Sequence, residues 1–168
     1  MKRTTRPSRR AMLAGLAAFA CTGAEATPVK LPAPGPRDTC PVCGMFVAPY
    51  RYWIATVLFK DGQSVHFDGA KDLYKYLTDM ARWAGGRKAP EIATIGVTSY
   101  YDTAMIDAAN AVYVIGSDVL GPMGHELVPH ETTEDAEEFL RDHKGKRMVK
   151  ASDITATLLA ALDDGRFE

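Results

Sequence analysis

The sequence predicts an α+β fold of two small packed β-β-α-type units that weakly repeat one another. Three observations lead there. Strand-like residues at 52–59 and 64–67 run into a helical pattern, and the same order of signals returns in the second half. A shift of 63 residues lays Val65 on Val128, Asp72 on Asp135, Tyr76 on Phe139 and Leu77 on Leu140. Neither unit is large enough to bury its own sheet face, so the two should share a core.

Residues 1–26 read as an export signal. Lys2, Arg3, Arg6, Arg9 and Arg10 precede an apolar run at 11–20 (AMLAGLAAFA) and then small residues. That run is too short to span a bilayer, which takes about 20 apolar residues. SRRAML at 8–13 resembles a twin-arginine signal. Two endings are open. Ala24-Glu25-Ala26 is a small-x-small cleavage site, whereas Ala20-Cys21 places a cysteine where a bacterial lipoprotein carries its lipid. Cys21 is thus the candidate lipid anchor and membrane attachment. Residues 27–37 (TPVKLPAPGPR) hold four prolines, which fix φ and remove donors, so a Pro-rich linker outside the core is expected.

The remaining domain, 38–168, divides at about 38–88 and 89–168. In the first unit, 52–59 (YWIATVLF) reads as a strand, Asp61-Gly62 as a hairpin turn and 64–67 as the returning strand. Asp68 then suits the N-cap of a helix carrying Ala70, Leu73, Leu77 and Met80 on one face, stopped by Gly85-Gly86. In the second unit, 91–101 and 111–116 (AVYVIG) are strands, followed by a 117–124 loop and 126–129. Thr132 or Thr133 caps a helix with Ala136, Phe139 and Leu140, ended at Lys144-Gly145. A short strand at 147–150 and a helix over about 152–162 close the chain.

The charge balance excludes one class. The chain has 20 Lys+Arg and 21 Asp+Glu. Residues 1–26 carry five of the bases and one of the acids, so without them the net charge moves from −1 to −5. An acidic domain is a poor partner for nucleic acid, whose binders need surplus cations. The sequence also lacks the nucleophile-elbow, P-loop, HExxH and dinucleotide motifs, so no hydrolase constellation stands out and the enzyme reading that stays open is a thiol-disulfide oxidoreductase using Cys40 and Cys43. Glu134, Glu137 and Glu138 read as the solvated face of a helix, His143 as a partner for its C-terminal dipole, and His66 as a packed strand residue.

Chemistry concentrates at CPVCGM, 40–45, where two thiols and a thioether lie within six residues. A second methionine, Met123, stands between glycines and a proline in GPMGH, 121–125. Three readings compete. Thiolate and thioether sulfurs favour Cu(I), and this alone accounts for the methionines. Cys40 and Cys43 could instead be a redox pair, although Pro49 and a strand follow where a thioredoxin-like site has a helix. Cys40-x2-Cys43 with His125-x4-His130 has zinc-ligand spacings, but 81 residues separate the pairs.

CPVCGMFVAPYRYWIA, FDGAKDLYKYL and AVYVIGSDVLGPMGHELVPHETTEDAEEFLRDHKGK, in that order, resemble the NosL family over roughly 38–155. The resemblance implies a periplasmic, usually lipid-anchored, non-enzymatic Cu(I) chaperone. Its implied partners are a copper donor and apo nitrous oxide reductase or another periplasmic cuproenzyme. It implies Cys43 and Met123 as copper ligands, with Met45, Cys40 and His125, in that order, as candidates for a third or exchanging ligand. The family's two-unit α+β architecture agrees with the weak repeat.

Overall fold

The computed structural model describes residues 25–167. Cys21 and the signal residues 1–24 lie outside them. The described residues form strands β1 (Ala55–Phe59), β2 (Ser64–Phe67), β3 (Ile92–Thr98), β4 (Met105–Asp107), β5 (Val112–Ile115), β6 (Val128–His130) and β7 (Arg147–Lys150). Their helices are α1 (Ala70–Thr78), α2 (Met80–Trp83), α3 (Thr133–Asp142) and α4 (Ala156–Asp163).

One sheet has the order β2-β1-β3-β4 and the other β6-β5-β7, with every pair antiparallel. In each, a hairpin leads to a helix, and the strand after the helix pairs on the free side of the hairpin's first strand. The units are therefore one ββαβ arrangement used twice. Ala55 faces Phe67 in the first hairpin and Val112 faces His130 in the second. Phe67 and His130 are 63 residues apart, as are the starts of α1 and α3. The shift fails elsewhere because the hairpin connection grows from 60–63 in the first unit to 116–127 in the second. That longer connection carries Met123.

Several boundaries differ from expectation for physical reasons. Residues 92–107, which the sequence reading placed in the 89–168 unit, complete the first sheet: β3 covers the open edge of β1, and β4 covers that of β3. β4 itself was not expected. The first helix breaks at Asp79, whose carboxylate accepts the Arg82 amide at 3.2 Å and starts α2 as a separate turn. Its N-cap is Gly69, not Asp68, and no side chain caps it. A Cβ on Gly69 would collide with the buried Glu126 carboxylate, so a bare backbone is required there. Thr132 caps α3 by accepting the Asp135 amide, and Thr155 caps α4 from Leu158. α4 starts at Ala156 because a 3₁₀ turn, Ala151–Asp153, precedes it.

The expected Pro-rich linker is part of the fold. Val29 donates to the Met105 carbonyl at 2.8 Å and Asp107 donates to Thr27 at 2.9 Å, so this segment lies along β4 as an added edge. Ala26 is 1% exposed and its amide donates to the Glu131 carbonyl, beside the second sheet. Proline density suggested a spacer. Ala26 before the first proline, and Val29 and Leu31 between Pro28 and Pro32, supply the apolar contacts and amides that dock it.

α1 packs on β1 and β2, and α3 on all three strands of the second sheet. Alternation along β5 sends Val114 under α3, with Val128 and Phe139, and sends Tyr113 and Ile115 into the central core. There they meet Phe67, Leu73 and Tyr76 from the first unit and Leu159 and Leu162 from α4. Full burial of each such side chain contributes about 1.5–3 kcal/mol. Tyr74 of α1 and Tyr113 of β5 cross edge to face at 5.5 Å, with both hydroxyls on the Ala108 carbonyl. The apolar seam holds the two units in one body, with the N-terminus of α1 at its margin.

Candidate metal centre

Residues 40–45 fold into a tight turn. Thr39 bridges Phe46, Cys40 donates to the Met45 carbonyl, and Gly44 donates back to the Cys40 carbonyl, both at 2.8 Å. Gly44 has φ +79°, the left-handed conformation that a residue with a Cβ rarely adopts. The turn aims the amides of Val42 and Cys43 at the Cys40 sulfur and that of Met45 at the Cys43 sulfur. Amide donors of this kind favour a thiolate and would hold one in place.

Both thiols face carboxylates at the start of α1. Cys43 Sγ donates to Asp68 Oδ1 at 3.2 Å, and Cys40 Sγ to Asp72 Oδ2 at 3.4 Å. One donor atom from each of Cys40, Cys43, Asp68 and Asp72 lies within 4.8 Å of the others. Asp68 can take this role because it does not cap the helix; its second oxygen is buried without a partner among the described residues. Asp72 lies in the first turn of α1, and Lys75 Nζ lies 3.6 Å from it. The cysteines are not disulfide-bonded. Burial pushes the Cys40 thiol far up and the Cys43 thiol up to about 11, against the amide donors that pull the other way. The thiols therefore keep their protons at neutral pH until something replaces them.

The structure brings together Cys40 and Cys43, and adds Asp68 and Asp72, which the sequence reading missed as site residues. Their i, i+4 spacing at the start of a helix was the available signal. Met45 is half-buried on the same turn, its carbonyl engaged by Cys40. Met123 is 43% exposed in the β5–β6 connection. That loop is fastened to α1: Lys71, itself 1% exposed, donates from Nζ to the Met123 carbonyl at 2.9 Å, and its amide donates to Glu126 Oε1 at 2.5 Å. Thus the CPVCGM turn and the Met123 loop both rest on the first turn of α1. His125 is placed differently, with its ring 4.8 Å from Phe167 and near Gly165. Neither His125 nor His130 belongs to the Cys-Asp group. His130 is enclosed by Tyr100, Tyr101 and Phe139, so the paired-histidine zinc arrangement does not assemble.

A model of the NosL family matches residues 32–159. The chain belongs to the NosL family. Among solved structures, the copper chaperone NosL from Shewanella denitrificans shares the fold. Its TM-score is 0.59 at 21% identity, over 78% of this chain and 99% of that one. No curated protein matches the sequence. The NosL match spans both ββαβ units and includes the CPVCGM turn, the start of α1 and the Met123 loop. The expected α+β class and the resemblance read from 38–155 stand.

Proposed function

We propose that this NosL-family chain is a periplasmic Cu(I) carrier that takes copper from a donor and passes it to a cuproenzyme, nitrous oxide reductase being the recipient its family suggests. One observation carries the reading: two thiols held on a turn with inward-facing amides, within 4.8 Å of each other and of two carboxylates. The copper is cargo. Cys43, the more accessible thiol, is its principal ligand, and Met123 supplies the thioether from the loop latched by Lys71. Met45 and Cys40 are the candidates for exchange, and His125 is the weakest of them given its seat against Phe167.

Asp68 and Asp72 have a role in this reading. A thiol that binds Cu(I) must lose its proton, and each thiol already donates to a carboxylate that can accept it or relay it to solvent. The same geometry speaks against a thiol-disulfide enzyme, whose nucleophile needs a lowered thiol pKa. Here burial raises both.

The test is anaerobic Cu(I) titration of the reduced protein with zinc in competition. One Cu(I) per chain, retained against equimolar zinc, is expected. Cys43→Ser should abolish tight binding and Cys40→Ser should weaken it less. Displacement by zinc would replace the carrier reading with a Cys-Asp zinc site, and equal loss from both substitutions would make the site a two-thiol one.

A further inference from the structure

Away from the cysteines, the second unit has an open cavity of about 700 Å³ between the start of β7 and the turn that ends α4. Lys146, Arg147, Ala161, Gly165, Arg166 and Phe167 line it. Three of the six are cations and none is an acid. Arg166 is paired with Asp164 at 2.7 Å, but neither Lys146 nor Arg147 makes an ion pair among the described residues. Arg147 Nε is buried there with no hydrogen-bond partner. Register places Arg147 on the core-facing side of β7 with Val149, opposite Ile115, so its guanidinium is directed toward α4 and not outward.

The glycine pattern keeps the space open. A Cβ on Gly116 would meet Lys146 Cγ at 2.6 Å and Phe167 Cγ at 2.8 Å, and φ +73° already favours glycine there. His125 stands behind the wall, its ring against Phe167 and its Nδ1 buried without a partner among the described residues.

We propose that this cavity is a binding site for a small multivalent oxyanion, a phosphate or a polycarboxylate. Guanidinium groups offer forked donors that match the paired oxygens of either group, and a buried donor without a partner favours a ligand that supplies one. In a domain of net negative charge, two cations without an ion-pair partner among the described residues are not explained by internal pairing. Because Phe167 touches His125, an occupied cavity would be felt at the 121–125 loop. The site is independent of the copper reading.

The experiment titrates the purified protein with inorganic phosphate and, separately, citrate at low ionic strength, followed by amide NMR shifts. Saturable shifts at Lys146, Arg147 and residues 165–167 are expected, with His125 responding. The tighter of the two anions identifies the source as phosphoryl or carboxylate. Arg147→Gln should weaken binding about tenfold, and Lys146→Gln should weaken it less. Lys30→Gln, on the opposite sheet edge, should leave it unchanged. The unfolding temperature of Arg147→Gln should stay near wild type, since no acid among the described residues loses its partner. Its Cu(I) affinity should also be unaltered. Absence of saturable shifts with either anion, or equal weakening by Arg147→Gln and Lys30→Gln, would overturn the site.

Discussion

His130 and Glu126 are four residues apart and fully enclosed, and burial acts on them in opposite directions. His130 fills the place that Phe67 fills in the first unit, facing Phe139 as Phe67 faces Tyr76. Both its ring nitrogens lack partners among the described residues, and burial lowers its pKa to about 4 from 6.5. Burial raises Glu126 to about 7 from 4.5, partly offset by the Leu127 and Lys71 amides and the Lys71 charge. With a lowered pKa, His130 takes up a proton more readily unfolded, so its share of stability is lost as pH falls from 6.5 to 4. With a raised pKa, Glu126 holds its proton more tightly folded, so its share is lost as pH rises from 4.5 to 7. Each window is worth about 3 kcal/mol at most, so the two nearly cancel between pH 4.5 and 6.5. Urea unfolding across that range should show a shallow dependence in the wild type. His130→Phe should unmask stability falling with pH, and Glu126→Gln should unmask stability rising with it. Parallel pH curves for all three proteins would contradict the assignment.

The loop that carries Met123 is positioned by α1, and Lys71 is the means. Its ammonium joins the Met123 carbonyl to Asp163 of α4 at 3.0 Å, and Asp163 keeps Lys75 at 2.8 Å if Lys71 is removed. Lys71→Met should therefore lose only about 1–2 kcal/mol of stability, because the half-exposed Asp163 stays hydrated and paired. Protection of the Gly121 and Gly124 amides, which bond each other across the loop, should fall about tenfold in hydrogen exchange. Unchanged exchange would show that the loop holds itself. Met123→Leu should preserve the fold to within about 1.5 kcal/mol and lower Cu(I) affinity, which a competing chelator can read.

At this scale the sequence was legible where periodicity is strong. β2 and β7 have the expected bounds, and α3 presents the predicted face of Ala136, Phe139 and Leu140; α1 buries the predicted Ala70 and Leu73 but adds Tyr74 and Tyr76, leaves Leu77 partly exposed and ends before Met80. β4 escaped notice because three residues ending in Asp107 carry no alternation. The Cys-Asp group escaped because its halves are 25 and 32 residues apart and meet only when Gly69, not Asp68, caps α1. The usual capping preference pointed to the wrong use of that carboxylate.

Across the whole molecule, the segment from Ala26 to Leu31 straps the first sheet to the second. Leu31 reaches the bare backbone of Gly96, where a Cβ would lie 2.6 Å from its Cδ1. Deleting 25–31 removes three backbone hydrogen bonds and the burial of Ala26 and Leu31, for an expected loss of about 2–4 kcal/mol. It also bares the β4 edge, so the truncated protein should associate at concentrations where the longer one does not. Light scattering and denaturant midpoints would check both, and an unchanged midpoint would demote the strap to a passive tail. The strap also sets the length of any leash. Cleavage after Ala26 would strip a core residue from the body, whereas processing at Cys21 keeps it. With a lipid on Cys21, four residues would lie between the anchor and Ala26, five Cα steps or at most about 18 Å, where a free chain to residue 38 would allow about 60 Å. A carrier of the proposed kind, so anchored, would ride against the bilayer and meet membrane-bound partners far more often than those in the bulk.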